Sequence, residues 1–227
     1  APGTAIGGWG WLAEDGSRIV WTSAASDVLP GASDLNQGND LFSTEGDGSQ
    51  RLLSHAAGSP LSAGDSPVDR DAGFAGSADG RIVAFAGRGT NYLPGPIATD
   101  ATLDVFVSTM TGVSGVGVGP LQGINATRPM VSGDGNTVIF TSSAGTTFLP
   151  GFSDPGGAQL FAYRRNDGSF RLVTHHAGAP LTGTLADAMP LGISTNGQFV
   201  LFRSMAPNLV EGQAAPTVPN IFLGDLD

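Results

Sequence analysis

Asp79-Gly80-Arg81-Ile82-Val83-Ala84-Phe85 is a turn signal followed by an apolar, β-branched run, and the chain carries this pattern four times. Its counterparts are Asp15-Gly16-Ser17-Arg18-Ile19-Val20-Trp21, Asp134-Gly135-Asn136-Thr137-Val138-Ile139-Phe140 and Asn196-Gly197-Gln198-Phe199-Val200-Leu201-Phe202; successive starts lie 64, 55 and 62 residues apart. A second landmark follows each run: Leu29-Pro30-Gly31, Leu93-Pro94-Gly95, Leu149-Pro150-Gly151 and the degenerate Leu209-Val210-Glu211-Gly212, at 14, 14, 15 and 13 residues from the turn. A third is a short run ending in Phe42, Phe106, Phe161 or Phe222, another 13, 13, 12 and 13 residues on. Three markers that hold register four times exclude chance and define an internal repeat.

Asp-Gly or Asn-Gly between two β-prone segments is a strong hairpin signal, read here as a tight turn whose central positions both favour φ > 0. First strands are therefore expected at residues 9–13, 73–77, 130–133 and 191–195, with the apolar runs as second strands and the Phe-ending runs as third strands. Arg51-Leu52-Leu53-Ser54 and Arg171-Leu172-Val173-Thr174 read as fourth strands, and Gly115-Val116-Gly117-Val118 as a weaker one. Four short antiparallel strands per unit, repeated in tandem, describe β-propeller blades, whereas a two-sheet sandwich does not account for the period. The expected fold is all-β: one propeller domain over residues 1–227, with repeats at about 9–65, 72–125, 129–186 and 190–227. Trp21, Phe85, Phe140 and Phe202 should share one site on second strands, and Phe42, Phe106, Phe161 and Phe222 one site on third strands.

Composition agrees. Gly and Pro make 35 and 15 of 227 residues, too many breakers for a helical protein. Charged residues are 13%, half the roughly 25% of an average soluble domain. A net charge of −10, with no Lys among the basic residues, argues against nucleic acid and anionic membrane surfaces as partners. No apolar run approaches a membrane span. The absence of Cys removes disulfides and thiolate chemistry. Polarity carried by Ser, Thr, Asn and Gly suits an extracellular, cell-surface or periplasmic protein.

The succession of Asp-Gly, apolar strand, Ser-rich segment, Leu-Pro-Gly, Asx-rich loop and Asp-Val-Phe resembles the TolB-type, WD40-like β-propeller repeat of exported bacterial proteins. Ala25-Ser26-Asp27-Val28-Leu29-Pro30-Gly31 with Asn39-Asp40-Leu41-Phe42 carries the resemblance most fully, and Asn91-Tyr92-Leu93-Pro94-Gly95 with Asp104-Val105-Phe106-Val107 follows. It covers the whole chain and implies a fold rather than one activity, since such propellers serve as interaction platforms, peptidase accessory domains and lyases. More than four blades are usual in them, which implies a part of a larger propeller; the repeat arithmetic alone equally allows a closed four-bladed ring.

Candidate chemistry is sparse. His55 and His175 fall at equivalent repeat positions, so repetition explains them without a catalytic or metal role. Asp34, Asn36, Asn39 and Asp40 place oxygen ligands at the close spacing that suits Ca²⁺, while Asx turns account for the same residues without an ion. The counterparts of this loop thin out to Asp100 and Asp104, then Asp154, then Asn220. No Gly-x-Ser-x-Gly elbow is present. Trp9 and Trp11 alternate on one strand face, for which core packing is the simpler reading. The functional expectation is a non-catalytic propeller acting as a protein-interaction or assembly scaffold. Its alternative is the propeller portion of an enzyme, a peptidase or a metal-dependent polysaccharide lyase, whose catalytic residues lie outside this chain. The fourth unit reaches only its third strand, so a protein partner or further blades are expected at the edge formed by Ile221, Phe222 and Leu223, unless residues 1–6 cover it.

Overall fold

In all four Asp/Asn-Gly turns only the glycine takes positive φ, at 70°, 64°, 73° and 71° for Gly16, Gly80, Gly135 and Gly197. The turn is thus not the two-residue type with both central residues at φ > 0. The Asx residue keeps negative φ, and its side-chain Oδ1 accepts the N–H two residues on, from Ser17, Arg81, Asn136 and Gln198. A type I turn closed by a left-handed glycine results, and it carries the strand twist equally well.

The computed structural model describes residues 10–94, 102–109, 112–113, 125–214, 216 and 218–227. Blade 1 consists of β1 (Gly10–Leu12), β2 (Arg18–Ser23), β3 (Asp40–Glu45) and β4 (Gln50–Leu52), and a hairpin of β5 (His55–Ala56) and β6 (Ser59–Ala63) follows it. Blade 2 is β7 (Phe74–Gly76), β8 (Ile82–Gly87), β9 (Asp104–Thr109) and β10 (Gly112–Val113). Blade 3 comprises β11 (Ala126–Val131), β12 (Thr137–Ser142), β13 (Gln159–Arg164) and β14 (Ser169–Leu172), with a second hairpin of β15 (His175–His176) and β16 (Ala179–Gly183). Blade 4 holds β17 (Ala188–Ile193), β18 (Phe199–Ser204) and β19 (Asn220–Asp225). Every blade is an antiparallel meander with strands in chain order. The single helical turn among the described residues is a 3-10 turn at Gly145–Thr147.

The aromatic repeat becomes a cross-strand pair in each blade: Trp21 with Phe42, Phe85 with Phe106, Phe140 with Phe161, Phe202 with Phe222. Ring centroids lie 5.2, 5.5, 6.1 and 5.5 Å apart, within the range of favourable stacking. These rings face the preceding blade, a side called here the leading face. Alternate residues face the following blade on the trailing face, as the period of two in a strand requires. The three hydrophobic clusters sit between consecutive blades, where trailing residues of one meet leading residues of the next. Backbone bonds tie successive first turns together, from Glu14 N–H to Ala78 O, Ala78 N–H to Gly133 O and Asp134 N–H to Thr195 O, at 2.9, 2.9 and 2.8 Å.

Two first strands start earlier than expected, at Ala126 and Ala188, because each runs through a proline. Pro129 and Pro190 sit at register shifts where the ladder is already broken, and Arg128 there adopts φ 54°. The fourth strands end earlier, at Leu52 and Leu172, since Ser54 and Thr174 leave the ladder to make side-chain bonds described below. The two hairpins after them were not legible in the periodicity. They pair with the loop between second and third strands through parallel bridges Ser33–Ser62 and Ser153–Thr182. The expected strand at residues 115–118, the expected closure by residues 1–6, and Trp9 and Asp100 all lie outside the described residues.

Candidate functional site

Of the oxygen-rich loop, the structure brings Asp34, Asn36 and Asp40 together. Asp34 Oδ1 accepts the N–H of Asn36 and Gln37 at 3.1 and 3.0 Å. Asn36 Nδ2 donates to Gly64 O at 2.7 Å and, more weakly, to Asp40 Oδ1 at 3.4 Å. Ser54 Oγ donates to Asp40 Oδ1 at 3.0 Å while accepting the Leu41 N–H at 3.0 Å. Asn39 contributes its backbone carbonyl to Val68 N–H. Burial pushes the Asp40 carboxyl up to about 7, against the opposing hydrogen bonds from Ser54 and Asn36 and with the nearby Asp34 charge adding to the rise.

Blade 3 makes the same tie with an amide. Gln159 opens β13 as Asp40 opens β3; its Oε1 accepts from Thr174 Oγ1 at 2.9 Å and Thr184 N–H at 3.0 Å, and its Nε2 donates to Thr184 O at 2.9 Å. Thr174 Oγ1 accepts the Leu160 N–H, as Ser54 does that of Leu41. In both blades one buried polar side chain anchors the hairpin after the fourth strand to the start of the third. Among the described residues no group of three or more His, Asp or Glu is arranged to hold a metal ion. His55 and His175 occupy matching hairpin positions, each with Nδ1 beside the carbonyl of the next residue, at 2.8 and 3.0 Å.

The larger departure from repetition is at the ends of the arc. On the trailing face, Val20, Ala84 and Ile139 are wholly buried at one second-strand position, and Leu201 at the fourth is 40% exposed. On third strands Leu41, Val105 and Leu160 are buried at 2% or less, while Ile221 is 65% exposed. Leu223 is 68% exposed where Val107 and Ala162 are buried. Blade 1 mirrors this on its leading face: Ile19 is 47% exposed where Val83, Val138 and Val200 are buried. Among the described residues, Leu201, Ile221 and Leu223 at one end of the arc and Ile19 at the other thus lack the cover their counterparts have, while Phe42 on the leading face of blade 1 is buried.

β19 has only β18 beside it among the described residues. Along its other edge runs a groove of about 640 Å³, bounded by Leu172, Leu181, Leu209, Val210, Phe222 and Leu226. In blades 1 and 3 the fourth strand takes this place and sets Leu52 against Phe42 and Leu172 against Phe161. Phe222 itself turns inward, stacked on Phe202, so the edge offers its backbone and the groove its apolar wall. A second cavity, of about 410 Å³, lies along the first strands and draws Trp11, Phe74, Arg128, Met130 and Met189 from all four blades. Trp11 packs over Gly76 and Gly80, where any side chain would meet its ring. The edge residues were legible in the sequence; the exposed face was not, though repeat alignment of Leu201, Ile221 and Leu223 with buried positions was a signal for it.

No protein-family model and no curated protein matches the chain. Solved structures do. A TolB protein of Agrobacterium tumefaciens superposes at 16% identity and TM-score 0.51, over all of this chain and 64% of its own. The β-propeller domain of the trilobed protease from Pyrococcus furiosus, described as having an open velcro topology, is 14% identical at TM-score 0.51, over all of this chain and 51% of its own. An oligogalacturonate lyase of Vibrio parahaemolyticus is 9% identical at TM-score 0.54, over 96% of this chain and 49% of its own. The chain therefore has the β-propeller fold shared by TolB, and it spans about half to two thirds of the structures it resembles.

Proposed function

We propose that residues 1–227 form one propeller unit that works as a non-catalytic interaction and assembly scaffold of an exported protein, at the cell surface or in the periplasm. The observation that carries this reading is the pairing of β19, which has only β18 beside it among the described residues, with an apolar groove along its other edge. Exposed strand edges are aggregation hazards that proteins normally cover, and a groove of this shape takes an extended segment by β-augmentation. The incoming strand is antiparallel to β19 and places an apolar residue against Phe222, as Leu172 stands against Phe161. No helix among the described residues is long and apolar enough to cross a membrane.

The test uses a labelled peptide with the chain's own fourth-strand sequence, Asp-Gly-Ser-Phe-Arg-Leu-Val-Thr, from residues 167–174. Saturable binding is expected, weakened at least about tenfold by Leu181→Asp in the exposed groove wall, consistent with the loss of one buried apolar contact. Absence of binding, or equal binding of a scrambled peptide, overturns the reading. Calcium at Asp34, Asn36, Asn39 and Asp40 belongs to the same proposal. Its expected sign is a rise in melting temperature on adding millimolar Ca²⁺ that Asp34→Ala abolishes.

A further inference from the structure

We infer that the cavity along the first strands binds an organic carboxylate with an apolar, aromatic body, its anion held by Arg128. This goes beyond the scaffold reading, since the groove beside β19 shares no lining residue with the cavity.

The backbone singles out Arg128. It lies four residues before Ser132, as Gly73 lies four before Ser77, so the two hold one repeat position. Both have positive φ, at 54° and 92°. Blade 2 fills the position with glycine, which adopts that conformation freely. Blade 3 fills it with a residue that the left-handed region strains and that also precedes Pro129, which restricts it further toward extended backbone. Among the described residues Arg128 is the one non-glycine residue inside a strand with positive φ. Turn chemistry asks for no arginine there. Bulges re-aim side chains, and backbone strain of this kind is held where a side chain serves a site.

The bulge is fastened to blade 2. Arg128 N–H donates to Ala72 O at 2.7 Å, and Asp69 Oδ1 accepts the N–H of Asp71 and of Ala72 at 3.1 and 3.0 Å. These bonds pin loop 69–72 beside the bulge and bring Arg70, Asp71 and Arg128 to the cavity of about 410 Å³. Arg70 Nε stands 3.8 Å from Asp71 Oδ1, so those two charges offset each other. Arg128 makes no ion pair among the described residues, which leaves one cation uncompensated in a chain of net charge −10. A monoanion matches it. Behind the charge the wall is apolar, with Trp11, Phe74 and Met130 half-buried. A mostly apolar pocket of a few hundred Å³ with few convergent polar groups is the usual form of a small-molecule site. The guanidinium fork meets a carboxylate with two parallel N–H donors.

Calorimetric titration of the chain with 3-phenylpropionate tests this. Saturable binding is expected, and 3-phenylpropanamide, the same body without the charge, should bind at least about tenfold more weakly, the scale of one charge-assisted bidentate contact. Arg128→Gly should weaken 3-phenylpropionate to the same extent while its melting temperature stays level or rises, because glycine relieves the backbone. A merely structural arginine would give a lower melting temperature instead. Arg128→Asn, which also tolerates left-handed backbone, repeats the test without glycine's flexibility. N-acetyl-Gly-Phe is titrated alongside: tighter binding than 3-phenylpropionate makes a peptide C-terminus the source of the carboxylate, and weaker binding makes it a free acid. Leu181→Asp, in the groove beside β19, should bind 3-phenylpropionate as the native chain does, so this inference and the groove reading fail separately. No saturable binding of either acid, equal binding of the amide, native-like binding by both Arg128 variants, lower melting of both, or loss of 3-phenylpropionate binding in Leu181→Asp overturns the inference.

Discussion

Ile139 and Leu201 hold one position in consecutive blades, yet Ile139 is sealed and Leu201 stands 40% exposed. The strands around them are alike: each begins after an Asx-Gly turn, pairs an aromatic with the third strand and alternates two apolar faces. What differs is the neighbour. Blade 3 lies between two blades, and blade 4 has one behind it. Burial of the trailing face is thus a property of the stack, as in repeat architectures whose stability is carried by nearest-neighbour interfaces. An apolar residue in the repeat pattern marks an interface position, occupied or open.

The widest contrast comes from placing a charge at that position. Ile139→Asp should prevent stable folding, since an ion would sit in the core between blades 3 and 4, at a cost of several kcal/mol. Leu201→Asp, at a position 40% exposed, should leave the fold intact. Solubility and thermal melts of the two variants decide it, and equal damage would break the comparison. Next in size, Phe161→Ala should cost about 3–5 kcal/mol, the range for a fully buried Phe. Half-buried Phe222→Ala should cost less than half as much by urea denaturation of the same protein.

Blade 1 sharpens the contrast through its buried tie. Asp40 is held up to about 7 by burial, while an unfolded Asp titrates near 4. Between those values the folded chain binds the extra proton, so stability falls as pH rises through the window, at up to about 1.4 kcal/mol per pH unit, and the penalty is complete above about pH 7. Asp40→Asn keeps the acceptor for Ser54 and should remove this slope, leaving the variant more stable than the native chain at pH 8. Gln159 makes the equivalent tie in blade 3 without a titrating group. Melting temperature against pH for both chains checks the sign.

Much of the fold was legible because blades obey local rules. Asp15-Gly16 and its three counterparts announce hairpins through turn chemistry, and Trp21 through Phe222 announce the core through strand alternation. The turn type was misread because Asp15 uses its side chain on Ser17 N–H in place of a left-handed backbone. The strands through Pro129 and Pro190 run longer than expected because register shifts beside these prolines let them stand in the ladder. Of the oxygen-rich loop, residue types were legible but roles were not: whether Asp34 serves a turn or an ion depends on where Gly64 and Ser54 arrive.

The sequence by itself determined the repeat, the strand order within each blade and the inward aromatics. All are set by turns and alternation over a few residues. Only the tertiary structure decided which of the repeated apolar positions lack cover and how Asp40 and Gln159 bind the hairpins after the fourth strands. Those facts depend on which blade stands next to which, and a residue's own neighbourhood in the chain is the same whether or not another blade covers it.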